Sequence, residues 1–120
     1  MYKINKDDLE FEKGEHSSQF ADMLKNDKSK NFDFSACIRR LNAGEASTKH
    51  SHKNSEELFY ILSGTGTLTN NNKTSRIRQG DFVVIPKNSP HHLENDGETQ
   101  IEYLAIGFTS NLYNGWETWF

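Results

Sequence analysis

Gly44-Glu45-Ala46-Ser47-Thr48-Lys49-His50-Ser51-His52 and, opening five residues later, Glu57-Leu58-Phe59-Tyr60-Ile61-Leu62-Ser63-Gly64 are the stretch on which the reading of this chain turns. On a strand, side chains two positions apart share a face, so His50 and His52 can aim both imidazoles at one volume. Glu57 begins an apolar run, near enough for a turn to set it beside them. His91 lies far along the chain, after a bend from Pro86 to Pro90, and a neighbouring antiparallel strand can deliver it to the same place. Three imidazoles and one carboxylate suit Fe, Mn, Ni, Zn or Cu as divalent ions and suit Ca or Mg poorly. His-x-His alone would equally describe two surface histidines; the wider spacing with Glu57 and His91 is what gives the pattern weight.

Around this stretch, short β-rich runs recur and end in turn residues. They are 34–41, 58–62, 66–70, 74–78, 82–85, 92–95 and 99–108, punctuated by Asn42-Ala43-Gly44, Ser63-Gly64, Asn70-Asn71-Asn72-Lys73, Gln79-Gly80-Asp81 and Asn95-Asp96-Gly97. Many short strands joined by Asn-, Gly- and Asp-rich turns, with no helices between them, predict an all-β antiparallel sandwich or barrel. Residues 1–33 read as a polar N-terminal extension. Within it, Ser17 to Asn26 is expected to be a short helix, since Phe20, Met23 and Leu24 fall on one helical face. Residues 34–110 form the expected barrel. The tail 111–120 carries Tyr113, Trp116, Trp119 and Phe120 and is expected to pack on the barrel or on a dimer face.

Composition excludes several classes. A net charge of −3 and a pI near 5.9 give no basic field for nucleic acid or anionic lipid. The single cysteine, Cys37, permits neither a disulfide framework nor a thiolate metal cage, and it reads as a small core residue. No run approaches the ~18 apolar residues of a membrane span. The N-terminus lacks the apolar region of a signal peptide, so the expected compartment is the cytoplasm.

The sequence resembles the cupin superfamily, in the small single-domain form. The first family motif, G-x5-H-x-H-x3,4-E-x6-G, is met by Gly44, His50, His52, Glu57 and Gly64. The second, G-x5-P-x-G-x2-H-x3-N, is met by Gly80, Pro86, His91 and Asn95, with Asn88 standing where the family has Gly. That position needs a positive φ, which Asn tolerates best after Gly, so the turn is expected to survive. The resemblance implies a double-stranded β-helix, a jelly-roll barrel, holding one divalent transition metal on His50, His52, Glu57 and His91.

If Glu57 points inward, Phe59 and Ile61 do too, while Leu58, Tyr60 and Leu62 form an outer apolar row that needs cover. Cupins commonly dimerise across such a face, so a homodimer is expected. The expected substrate pocket comprises Phe59, Ile61, Leu93 and one of Arg39 and Arg40, which must face opposite ways. Trp116 and Trp119 would close the mouth or cover the dimer face. His16 and His92 read as surface or structural, and Glu102 as a possible second carboxylate near the metal. The function expected is metal-dependent chemistry on a small organic molecule, oxygenase-like ahead of isomerase or lyase. The alternative is a non-catalytic module that senses a metal or small molecule.

Overall fold

The computed structural model describes residues 1–27 and 32–109. Among them lie nine strands: β1 (Glu12–Lys13), β2 (Gln19–Asp22), β3 (Phe34–Leu41), β4 (Ser55–Ser63), β5 (Thr65–Asn70), β6 (Lys73–Arg78), β7 (Phe82–Ile85), β8 (His91–Glu94) and β9 (Ile101–Thr109). All pairings are antiparallel. A six-stranded sheet runs β1-β2-β3-β9-β4-β7 and a three-stranded sheet runs β6-β5-β8. Single bridges from Ala46 to Glu94 and from His50 to His91 lay residues 46–50 along the free edge of β8. The result is the expected jelly-roll barrel, and no helix among the described residues is long and apolar enough to cross a membrane.

The turns follow their residue chemistry. Asn71 and Asn72 both take positive φ, 50° and 67°, giving the β5–β6 hairpin a turn whose twist matches its strands. At Gly64 φ is +88°, and a Cβ there would lie 2.7 Å from the Gln100 carbonyl oxygen, so this turn admits only glycine. Asn88 has φ 60°, as its place in the second motif predicts.

The two sheets close over Leu41, Phe59, Ile61, Leu68, Ile77, Ile85, Leu93, Ile101, Tyr103 and Ala105. Each large side chain buried here contributes about 1.5–3 kcal/mol by leaving water. Asn95, buried among them, is fully engaged. Its amide donates to the carbonyls of Leu41 and Thr99 and its oxygen accepts from Gly97 N–H, which stitches the two sheets at the end away from the histidines.

The N-terminal helix is not formed. Helical structure there is a single 3-10 turn at Lys6–Asp8, and the stretch expected to be helical is instead β2 followed by a turn. The reason is non-local. β3 is eight residues long and would otherwise present an open row of N–H and C=O groups; β2 pairs with it from Asp22↔Cys37 to Gln19↔Arg40. A ten-residue helix is marginal by itself, so the edge wins. Asp22 then accepts from Leu24 N–H, starting the turn. The aromatic tail expected to pack on the barrel lies outside the described residues.

Candidate metal centre

Glu57 sits on β4 with Phe59 and Ile61 on its inward face, all three buried. Directly across the barrel, His50 and His91 form a bridge in which each backbone N–H donates to the other's carbonyl. His52 follows two residues on, held by Asn88 N–H donating to its carbonyl at 2.7 Å; the left-handed Asn88 turn thus anchors a ligand loop. His50, His52, Glu57 and His91 each direct one donor atom into the same space, all within 4.8 Å of one another. Glu57 Oε1 lies 2.7 Å from His52 Nε2, 3.2 Å from His91 Nε2 and 3.8 Å from His50 Nε2. An ion with ligands near 2.1 Å places its donors roughly 3–4.2 Å apart; the His91 and His50 spacings fall in that range and the His52 spacing is slightly shorter.

The remaining ring nitrogens explain the orientation. His50 Nδ1–H donates to the Thr48 carbonyl at 2.8 Å and His91 Nδ1–H to the Ser89 carbonyl at 3.0 Å. A carbonyl can only accept, so both rings carry their proton on Nδ1 and present a bare Nε2 inward. The three Nε2 atoms and Glu57 Oε1 are buried and satisfy no hydrogen bond. Four such orphans facing one another are expensive unless something binds them. This is the fit expected of a metal ion, and the donor set is that of a transition metal. Electrostatics agree. Burial lowers the His50 pKa, with His91 and His16 adding to the effect against the Thr48 hydrogen bond, so the ring stays neutral. Burial opposes ionisation of Glu57, but its neighbours His91, Arg39 and His52 outweigh it and hold its pKa at about 2. His52, with 37% of its side chain exposed against 2% for His91, marks the side open to solvent.

The other candidate residues separate by face. Arg39 pairs with Tyr103 across β3–β9, and Tyr103 with Ile61 across β9–β4, so Arg39 points inward with Glu57. Arg40 points outward and is not in the pocket. Its guanidinium lies over the Phe11 ring, and its Nε donates to Glu102 at 2.9 Å. Glu102 also accepts from Lys6 at 2.6 Å, so it is an outer-face carboxylate remote from the four ligands. Phe59 packs edge-on against His91, with 6.1 Å between centroids. Ile61 and Leu93, 1% and 2% exposed, lie in the closed core rather than on an open pocket wall. His92 is turned away and pairs with Glu94.

His16, expected at the surface, is half-buried. It stacks on His50 at 4.0 Å between centroids with the rings 16° from parallel. The loop between β1 and β2 is fastened over the site: Thr48 donates to the Glu15 carbonyl, Ser18 to Glu45, and Asn42 N–H to Ser18 Oγ. No local signal marks His16; only the β2–β3 pairing reveals where it goes.

An antiparallel jelly roll with a His-His-Glu-His cluster between its sheets defines a barrel protein with a possible metal site. The cupin-domain family model matches residues 37–107, so the chain belongs to that family. It is 35% identical over 65 residues to an uncharacterized protein of Methanocaldococcus jannaschii, covering 54% of this chain and 52% of that one. To the oxalate-binding protein of Thermotoga maritima it is 34% identical over 67 residues, covering 56% and 55%. The chain thus matches about half the length of these curated relatives. A crystal structure from Thermotoga maritima, described as that of a predicted oxalate decarboxylase, superposes with a TM-score of 0.80 at 23% identity, over 90% of this chain and 99% of that one. At that identity the likeness shows the fold.

Proposed function

We propose that His50, His52, Glu57 and His91 hold one divalent transition-metal ion, and that the protein is a metal-dependent cupin acting on a small organic molecule bound beside that ion. The observation that carries this is the set of four buried, mutually facing donor atoms without hydrogen-bond partners. When bound, the ion supplies Lewis acidity or, if Fe, Mn or Cu, dioxygen chemistry, for which oxygenase-like reactions stand ahead of isomerase or lyase reactions. The protein's own part is to aim the His50 and His91 rings, keep His50 neutral and Glu57 ionised, and wall the site with Phe59. The name of the Thermotoga maritima relative supports a carboxylate as the ligand class.

Metal analysis of the purified protein, combined with oxygen uptake across small carboxylates, tests the reading. Stoichiometric Fe or Mn with substrate-dependent uptake supports an oxygenase, and Zn or Ni without uptake moves the weight to isomerase, lyase or sensor. A chain that takes up none of these metals would sink it. The expected homodimer belongs to the same proposal. Tyr60 pairs with Phe82 and Leu58 with Val84 on the outer face, where Tyr60, Phe82 and Val84 are exposed. Light scattering that returned a monomer mass would remove it.

A further inference from the structure

Arg39 and Arg40 are neighbours in sequence with opposite electrostatic circumstances. Arg40 is paired with Glu102. Arg39 is turned into the barrel wall, and no carboxylate among the described residues comes within ion-pair distance of it. Its Nε donates to Cys37 Sγ at 3.3 Å, and it hydrogen-bonds the Tyr103 hydroxyl. Tyr103 is 1% exposed and burial pushes its pKa up to about 12, so it stays a neutral phenol and cannot neutralise the arginine. A guanidinium has five N–H donors in a planar fork and never gives up its charge. Two neutral neighbours therefore aim the fork without satisfying it. Glu57, on the same inner face, attracts the guanidinium from beyond ion-pair distance, and the remaining donors of the half-buried fork are left for a closer anion.

A cavity of about 300 Å3 opens beside it, lined by Lys13, Glu15, His16 and Phe20 of the β1–β2 hairpin and by Cys37 and Arg39 of β3; the Glu15 carboxylate is exposed to water. Phe20 stands opposite Arg39 in the β2–β3 register, giving an apolar wall next to the cation. His16 is shared: it lines this cavity and stacks on His50, so the cavity abuts the metal centre. The volume is at the lower end of the range for small-ligand pockets. Lys13 is exposed, so Arg39 is the one partly buried cation of this lining and matches a single carboxylate, whereas a phosphoryl group would call for a denser cluster of donors.

We infer that this cavity is the ligand seat of the site, and that Arg39 is its anchor, pairing with the carboxylate of a small organic acid whose apolar body lies against Phe20. The inference rests on the metal-dependent reading above and names the ligand charge and the residue that recognises it. Cys37 and Tyr103 are positioning residues for the fork.

Succinate, acetate and benzoate serve as probes, titrated calorimetrically into metal-loaded protein, with succinamide as the uncharged control. R39Q is expected to keep its metal and lose carboxylate affinity about 10–100-fold, the range of one charge-assisted contact. R39K should lose part of it, R40Q none, and succinamide should bind weakly and equally to all. Should R39Q fold poorly, the wild-type protein provides a second readout: the Arg39 Nε–H resonance should shift on titration with carboxylate and not with succinamide. Equal carboxylate affinity in loaded R39Q and wild type overturns the inference, as does an unmoved Arg39 resonance or the lack of saturable binding by all three acids. Metal content is measured first on each protein. Failure to load metal counts against the functional reading, and Arg39-independent binding by loaded protein counts against this inference alone.

Discussion

The inner and outer faces of the β3–β9–β4 sheet carry the same residue types to different ends. Outside, Arg40, Lys6 and Glu102 form a closed group in which each charge has a partner. Inside, Glu57 faces three imidazoles that it does not hydrogen-bond, and Arg39 has no carboxylate at ion-pair distance among the described residues. The outer group is self-sufficient, so it holds the N-terminal segment to the barrel and asks for nothing more. On the reading proposed above, the inner group is completed by a cation at one point and an anion at another. The difference teaches that an unsatisfied set, rather than a charged one, marks the site.

The largest effect expected on this contrast is at the inner cluster. H52A and E57A should each reduce metal occupancy by more than about 100-fold in affinity, exceeding the 10–100-fold typical of outer-shell partners, while circular dichroism shows the fold retained. Stoichiometric metal in either variant would void the ligand assignment. On the outer face, a double-mutant cycle of R40A and E102A should give a coupling of about 0.5–1 kcal/mol, since Arg40 is partly exposed and solvent screens the pair. Metal content should be unchanged throughout that cycle, and a loss there would erase the distinction between the faces.

The pH dependence of the outer group follows from Glu102. Burial opposes its ionisation, but hydrogen bonds from Lys6 and Arg40 outweigh this and hold its pKa below 4.5. A carboxyl whose folded pKa is depressed stabilises the fold above its unfolded pKa and loses that contribution as pH falls through the folded one. The melting difference between wild type and E102Q should therefore be constant above about pH 5.5 and shrink below about 4.5. A difference that grew on acidification would contradict the pairing. The smallest effect is expected from H16A. Removing a ring that buries His50 and opposes its protonation should raise the His50 pKa of the metal-free protein, read by proton NMR. No shift would mean that the stack does not persist in solution.

Much of this was legible in the sequence because it depends on local spacing. His50 and His52 share a face by strand alternation, and Asn88 occupies a turn that needs positive φ, as found. Alternation also separates Arg39 from Arg40, but it cannot say which of them joins Glu57. That parity is set through β9, by Arg39↔Tyr103↔Ile61, a register between strands distant in sequence. The N-terminal helix failed for a related reason. Phe20, Met23 and Leu24 have helical spacing, yet the open edge of β3 offered their backbone a better set of partners. His16 was hidden by that same error, because a helix over 17–26 gives it no route to His50.

The β1–β2 hairpin has a consequence for how this barrel can change over time. The match to the family begins at residue 37, so all four candidate ligands and Arg39 lie in shared framework, whereas His16 and Phe20 lie in a part of the chain outside it. One wall of the cavity can therefore be redrawn by substitutions that touch neither the donor atoms nor the core. If the cavity is the ligand seat inferred above, a grafted hairpin would be enough to alter ligand preference, which makes residues 12–22 a natural place for divergence among barrels with the same inner cluster.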